Sequence, residues 1–193
     1  MQIIQYPHPT LRHVSKPLAR VDKELHAIAR EMLELMYAAN GVGLAANQVD
    51  LPYRLFVINI KSDAQAKDEE FVFINPVLTS RKGNAEAEEG CLSLPGLYGQ
   101  VKRSERAVLN AYDLSGHEVT LPLEGLFARA VQHEIDHLDG ILFIDRLSST
   151  GEMDIKDQLV DFHVQFEGAR ERGEIPDDAA IARRLAELEK LRT

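Results

Sequence analysis

The chain has 193 residues, of which 45% are hydrophobic, so we expect one domain with a well-buried core. Its net charge of −9 disfavours direct nucleic-acid binding, and no apolar run reaches the roughly 18 residues that a membrane helix needs. The single cysteine excludes an intramolecular disulfide and fits a reducing compartment. Residues 1–7 resemble no targeting signal. We therefore expect a cytoplasmic protein with no membrane partner.

The first predicted helix spans residues 22–40, where apolar side chains recur at helical spacing. Asp22 can cap its start, and Gly41 can adopt the left-handed conformation after its end. Short β-branched or aromatic runs at 54–60 and 71–78 then predict two strands joined by an exposed, charged loop.

Two further elements follow in the second half of the chain. Residues 107–112 and 117–123 flank a turn-forming cluster and predict a β-hairpin. Residues 125–138 place Phe127, Val131 and Ile135 on one stripe, which predicts a central, buried helix. Without regular β-α-β alternation, this order favours an α+β fold with mainly antiparallel strands around the central helix.

The C-terminal part predicts two helices, at 152–172 and 177–191, separated by Gly-Glu-Ile-Pro. We therefore expect one domain over residues 1–172 and a helical tail over 173–193. The tail carries an apolar stripe that predicts packing on the body, contact with another subunit being the alternative; its members are Ile181, Leu185, Leu188 and Leu191. Residues 151–193 hold 11 acidic against 7 basic side chains, so we expect no attraction to ribosomal RNA.

Residues 133–137 read His-Glu-Ile-Asp-His and form the strongest chemical pattern of the chain. On a helix, His133 and His137 lie about 40° apart around the axis, so both rings can reach one metal ion. Glu134 is offset by one residue and can act as an acid/base without being a ligand. A solvated polar face is the alternative, but the other positions of this helix are nearly all apolar, and buried imidazoles and carboxylates are unfavourable unless paired.

The third metal ligand is a separate question. Cys91 offers a thiolate that would complete an open tetrahedral site, while Glu152 and His163 are alternatives downstream. Without the two histidines, Cys91 would be interpreted as a small buried apolar residue. The glycine-rich turn at 41–48 could be only a helix stop, but its small residues let a backbone approach a substrate, and Gln48 supplies an amide that can stabilise an oxyanion.

Three segments together resemble the peptide deformylase family in motif, order and spacing. They are Gly-Val-Gly-Leu-Ala-Ala-Asn-Gln at 41–48, Glu-Gly-Cys-Leu-Ser-Leu at 89–94 and Gln-His-Glu-Ile-Asp-His at 132–137, and the resemblance extends over residues 1–147. It implies a metal-dependent catalytic domain that removes the N-formyl group from the initiator methionine of nascent chains at the ribosome, releasing formate. It also implies Fe²⁺ as the native metal, with Zn²⁺ or Ni²⁺ able to replace it.

The resemblance also implies roles for individual residues. The implied metal ligands are Cys91, His133 and His137, the acid/base is Glu134, and the oxyanion donors are Gln48 and the backbone N–H of Leu92. Gly43 would contact the substrate backbone, and the methionine side chain would be surrounded by Val42, Leu126 and Ala130. Arg129 departs from the pattern, because many relatives carry an apolar residue there; its aliphatic stem can still line the pocket.

Two other functions remain as alternatives. A metallopeptidase would need an extended cleft and would hydrolyse internal peptide bonds. A non-catalytic homologue would keep a structural metal and bind nascent chains or a partner, but it would need neither Glu134 nor Gln48.

Overall fold

Seven strands form two antiparallel sheets in the computed structural model, which describes residues 1–193. In chain order the strands are β1 (Gly43–Ala45), β2 (Leu55–Ile58), β3 (Phe71–Lys82), β4 (Ala85–Cys91), β5 (Leu94–Arg103), β6 (Arg106–Tyr112) and β7 (Glu118–Glu124). One sheet has the order β1-β2-β3-β6-β7, and β4 pairs with β5 alone. The predicted antiparallel α+β class is confirmed.

Four α-helices complete the fold: α1 (Lys23–Ala38), α2 (Gly125–Leu138), α3 (Ser149–Glu171) and α4 (Asp178–Arg192). The five-stranded sheet lies between α1 and α2. In β2, Leu55 and Val57 pack in the cluster that contains α1, whereas Phe56 and Ile58 pack in the cluster that contains α2. Because each large apolar side chain contributes about 1.5–3 kcal/mol on burial, α2 is held firmly against the sheet. None of the helices combines the length and apolar character needed to cross a bilayer.

The end of α1 differs from the prediction. Asp22 caps the helix, accepting from the Leu25 N–H at 2.9 Å, as expected. The left-handed residue after it is Asn40, with φ 54°, and not Gly41. A Cβ on Gly41 would lie 2.6 Å from Leu92 Cδ1, so this glycine permits close packing.

The hairpin formed by β4 and β5 was not expected from the sequence. Strand β4 alternates alanine with glutamate, residue types that are depleted in strands, and only Glu89 among its residues is buried. Pairing with β5 over almost its whole length holds β4 in the extended conformation. A third apolar cluster, which contains Leu97, Phe143 and Ile155, joins the hairpin to α3.

The prediction that the C-terminal helix packs on the body is confirmed, but its buried face differs. Ile181 and Leu185 are buried, whereas Leu188 is half-buried and Leu191 is 62% exposed. Two charged residues, Glu189 and Arg192, are buried on this face. Glu189 accepts from His13 Nε2 at 2.8 Å and from Lys16 Nζ at 2.7 Å, while Arg192 pairs with Asp22 and Glu24. The helix is therefore positioned as much by ion pairs as by its apolar stripe.

Candidate metal and catalytic site

Two separate elements bring the three predicted ligand residues together. Helix α2 carries His133 and His137 one turn apart, and Cys91 is the last residue of β4. The donor atoms of these three residues lie within 4.8 Å of one another, and Cys91 Sγ is 3.3 Å from His137 Nε2. The alternative ligands lie outside this cluster: Glu152 is exposed on α3, and His163 Nε2 lies 3.2 Å from the Tyr6 hydroxyl.

The local fold explains why the thiol points to the helix. The register of the hairpin shifts between Gly90, which pairs with Tyr98, and Cys91, which pairs with Leu94. A Cβ on Gly90 would lie 2.7 Å from the Tyr98 ring, so glycine allows this tight approach at the end of the strand. The shift redirects the strand at Cys91, as an irregularity in a ladder commonly does next to a functional site.

The donor set fits a divalent transition metal. His133 Nδ1 lies 3.0 Å from Glu89 Oε2, which leaves Nε2 of the same ring for a cation. His137 Nδ1 and Glu134 Oε2 are buried polar atoms without a hydrogen-bond partner. One thiolate and two imidazoles are ligands that suit Fe²⁺ and Zn²⁺.

The electrostatics of the two histidines agree with a cation site. Burial lowers the pKa of His133, but hydrogen bonds with Cys91 and Glu89 outweigh it and raise this pKa to about 10. The negative field that holds a proton here would equally hold a metal cation in its place. Burial and the nearby His133 keep the pKa of His137 well below its ordinary value, so this imidazole is in the neutral form that ligates metals.

Glu134 lies beside these atoms in a position suited to proton transfer. Burial raises the pKa of its carboxyl to about 7, although the charges of His133 and Arg103 oppose the rise. A carboxyl that titrates near neutrality can both accept and donate a proton. Gly43 makes room for it, because a Cβ there would lie 2.4 Å from Glu134 Oε1.

Gln48 is held with its amide N–H groups facing the thiol. It lies in the 3-10 turn Ala46–Val49 and is 1% exposed. Its Oε1 accepts from the Ala45 N–H at 2.9 Å, so Nε2 points towards Cys91 Sγ at 3.4 Å and Ser93 Oγ at 3.2 Å. The buried Asn47 side chain fixes the turn by donating to the His13 carbonyl at 2.8 Å.

A buried ion network, which the sequence pattern did not indicate, lies behind the histidines. Arg103 donates to Glu89 at 2.7 and 2.8 Å and to Asp136 at 2.6 Å, and Arg146 also pairs with Asp136. Burial would raise the pKa of Glu89, but the hydrogen bonds from His133 and Arg103 prevail and lower it to about 2. Glu89 therefore stays ionised and holds the His133 ring. In the sequence, the signal for this role of Glu89 was its position two residues before Cys91.

Arg129, the residue that departs from the family pattern, is part of the same network. Its guanidinium donates to Glu89 Oε1 at 2.6 Å and to the carbonyls of Val101 and Ala85 at 2.9 and 2.8 Å. Arg129 thus shares Glu89 with Arg103, and it also lines the pocket in front of the site. An arginine at this position is therefore ion-paired and does not project an unpaired guanidinium into the pocket.

A pocket of about 590 Å³ opens in front of the ligand cluster. Its wall includes every residue singled out for substrate contact, together with most of the chemical groups: Val42, Gly43, Gln48, Cys91, Leu92, Leu126, Ala130, His133 and Glu134. His137 lies behind this wall. Ala130 is buried, whereas Leu126 is 57% exposed at the mouth.

Comparison with known proteins identifies the family. The sequence model described as polypeptide deformylase matches residues 1–153. The chain belongs to this family. A peptide deformylase of Rhodopirellula baltica is 50% identical over 193 residues, covering 100% of the chain and 96% of the relative. One of Neisseria gonorrhoeae is 43% identical over 159 residues, covering 82% and 93%. The structure of a peptide deformylase from Arabidopsis thaliana in complex with an inhibitor is 34% identical, with a TM-score of 0.84 and coverage of 92% and 97%.

The activity follows from the family. The enzyme is a metal-dependent hydrolase that removes the N-formyl group from the N-terminal methionine of nascent polypeptides and releases formate. It acts in protein biosynthesis. Neither a general metallopeptidase nor a non-catalytic metal-binding homologue is favoured by these relatives.

Proposed function

We propose that Cys91, His133 and His137 hold the catalytic ion, and that this ion is Fe²⁺, with Zn²⁺ or Ni²⁺ able to take its place. The single observation that carries the proposal is the convergence of the three donor atoms within 4.8 Å. When bound, the ion supplies a Lewis acid that lowers the pKa of water and polarises a carbonyl group. The soft thiolate favours a transition metal over Mg²⁺ or Ca²⁺.

The neighbouring side chains provide the remaining steps of the hydrolysis. Glu134 takes a proton from the water that attacks the formyl carbon and returns it to the amine nitrogen as the C–N bond breaks. Formate and a free methionyl N-terminus leave. Gln48 Nε2 and the Leu92 backbone N–H donate hydrogen bonds to the oxygen on which negative charge develops. The support for Gln48 is its buried amide, oriented towards Cys91 Sγ at 3.4 Å.

The pocket suits a methionine side chain next to a very small acyl group. We assign Val42, Leu126 and Ala130 to the methionine side chain and Gly43 to the substrate backbone, because all four line the pocket. Pairing of Arg129 with Glu89 leaves the guanidinium in this wall with an ionic partner. Formyl is the smallest acyl group, so crowding around Glu134 would exclude longer amides.

The setting of the reaction belongs to the same proposal. The substrates are nascent chains at the ribosome in the cytoplasm, and direct nucleic-acid or membrane binding is not expected for an acidic protein of this composition. Residues 1–172 would form the catalytic domain, and residues 173–193 a helical tail that packs on it.

Formate release tests the proposal. Anaerobically purified enzyme with its metal content measured should release formate from formyl-Met-Ala and leave casein intact.

Glu134→Ala should lower kcat by at least about 10²-fold, the scale of acid/base catalysis, with unchanged metal content because Glu134 is not a ligand. Activity near wild type in Glu134→Ala, or hydrolysis of casein at a comparable rate, would contradict the assignment.

A further inference from the structure

The turn that carries Gln48 ends at a residue in an unusual conformation. Asp50 follows the turn with φ 64°, in the left-handed region that residues other than glycine rarely occupy unless contacts hold them there. Its N–H donates to the Asn47 carbonyl at 3.2 Å. The orientation of the turn is therefore linked to the conformation of Asp50.

Two distant segments hold Asp50 from either side. Thr10 Oγ1 donates to Asp50 Oδ1 at 2.5 Å. Arg184, on α4, places Nη2 2.5 Å from Asp50 Oδ2 and 3.1 Å from the Asp50 carbonyl oxygen. One guanidinium thus bridges the side chain and the backbone of the same residue, and restrains both.

Arg184 can restrain Asp50 because its own helix, α4, is packed firmly on the rest of the fold. It lies between the buried apolar residues Ile181 and Leu185, and the buried Glu189 and Arg192 join the next turns of α4 to the N-terminal segment and α1. The family match ends at residue 153, so this helix lies outside the segment matched by the family model.

We propose that Arg184 is a positioning residue for Gln48. By holding Asp50, it keeps the turn Ala46–Val49 in the orientation in which the Gln48 amide faces the reacting carbonyl. A hydrogen-bond donor for a developing oxyanion stabilises it less when the donor is displaced, so a contact two residues away affects turnover. The inference rests on the proposed role of Gln48.

A double-mutant cycle of Arg184 and Gln48, in enzyme of measured metal content, tests the positioning role of Arg184. Arg184→Ala should lower kcat about three- to fivefold, the range that one partly exposed ion pair can supply, and leave KM within about twofold. The loss falls on kcat because the oxyanion exists only in the transition state. In a Gln48→Ala background, Arg184→Ala should have no further effect. Arg184→Lys should recover part of the rate, and the exposed neighbour Arg183, which forms no ion pair, gives the control Arg183→Ala.

Hydrogen exchange provides a second readout that does not depend on turnover. In Arg184→Ala, amides of residues 46–51 should exchange faster than in wild type and in Arg183→Ala, because the ion pair that restrains Asp50 is lost. A fall in melting temperature alone, with kcat and exchange unchanged, would overturn the inference. So would a loss of kcat that persists in full beside Gln48→Ala. If Gln48→Ala itself kept wild-type turnover, the proposed oxyanion role would fail, and this inference with it.

Discussion

At the scale of single residues, the site depends on side chains other than the proposed ligands and acid/base. Glu89 holds His133, and Arg103, at the end of β5, joins Glu89 on β4 to Asp136 on α2. These are buried charges, and removing one partner would leave the others without compensation in a medium of low dielectric. Orientation of the proposed metal ligands is therefore coupled to the stability of the core.

We expect Gly43→Ala to lower kcat by about 10²-fold, because the new Cβ would stand 2.4 Å from Glu134 Oε1 and push the carboxylate away from the substrate. Metal content should stay near one ion per chain, since Gly43 supplies no ligand atom. Steady-state kinetics with metal analysis measures both. Gly151→Ala is the matched control, because its Cβ would meet no atom closer than 3.4 Å. Equal activity in the two variants would contradict this steric account of Gly43.

We expect Glu89→Gln to weaken metal binding about 10- to 100-fold, the effect usually seen when the partner of a ligating histidine is changed. Glutamine keeps an acceptor for His133 Nδ1 but removes the charge that Arg103 and Arg129 neutralise. Competition with a chelator measures the affinity. Glu88→Gln changes the exposed neighbour on β4 and should leave the affinity unchanged. Tight metal binding in Glu89→Gln would show that the network serves stability alone.

At the scale of elements, the C-terminal helix shows how charge can determine which face is buried. The apolar stripe predicted Leu191 as a contact, yet Arg192 occupies the interface and Leu191 is exposed. Arg192 Nη1 lies 2.9 Å from both carboxylate oxygens of Asp22, the residue that caps α1, and its guanidinium lies 5.7 Å from the centre of the Tyr53 ring. Partners on α1 therefore set the final rotation of α4.

We expect Arg192→Ala to lower the melting temperature at pH 7 by about 2 to 8 °C, which corresponds to the loss of about 1–2 kcal/mol from a part-buried ion pair in a chain of this length. Lys190→Ala, which removes an exposed lysine without an ion pair, should change it little. Equal melting temperatures for these two variants would contradict the structural role of Arg192.

The ion pair between Arg192 and Asp22 should weaken in acid. Hydrogen bonds from the Leu25 backbone N–H and from Arg192 lower the pKa of Asp22 to about 2. Because this pKa is below its ordinary value near 4, the contribution to stability is complete above about pH 4 and is lost as the pH falls towards 2. The difference in melting temperature between wild type and Arg192→Ala should therefore narrow over that range.

At the scale of the whole molecule, the sheet between two helices gives the site its rigidity. Residues of β1 pack on both sides: Leu44 in the cluster with α1, Ala45 in the cluster with α2. The helix with His133 and His137 packs in the cluster with β1 and β2, the turn with Gln48 packs in the cluster with α1, and Cys91 packs against the third cluster. A preorganised arrangement of donors is what electrostatic stabilisation of a transition state requires.

We expect enzyme purified without oxygen to hold about one iron per chain and to lose activity in air, because a thiolate and two imidazoles bind oxidisable Fe²⁺ as well as Zn²⁺. Protein loaded with Zn²⁺ should keep its activity in air at whatever level it shows at the start. Formate release before and after exposure, with metal analysis, makes the comparison. Stoichiometric iron that stayed fully active in air would contradict iron as the labile native ion.

Local periodicity in the sequence was sufficient to predict part of the fold. Helix α2 begins and ends where the apolar period predicts, and the spacing of His133 and His137 follows from the helical turn alone. The hairpin β6–β7 is likewise close to its prediction, because alternating residues flank a strong turn signal. The motifs around Gln48, Cys91 and His133 were sufficient to indicate the family.

Tertiary structure decided what local patterns do not encode. Strand β4 has weak strand propensity and forms because β5 supplies its hydrogen-bond partners. Arg103 meets Glu89 and Asp136 only when this hairpin lies against α2, and Arg184 meets Asp50 only when α4 lies on the N-terminal segment. Periodicity reports which face of an element is apolar, but the pairing of buried charges depends on contacts between residues far apart in the chain. The sequence therefore indicated the candidate ligands, and the packing determined which residues hold their side chains.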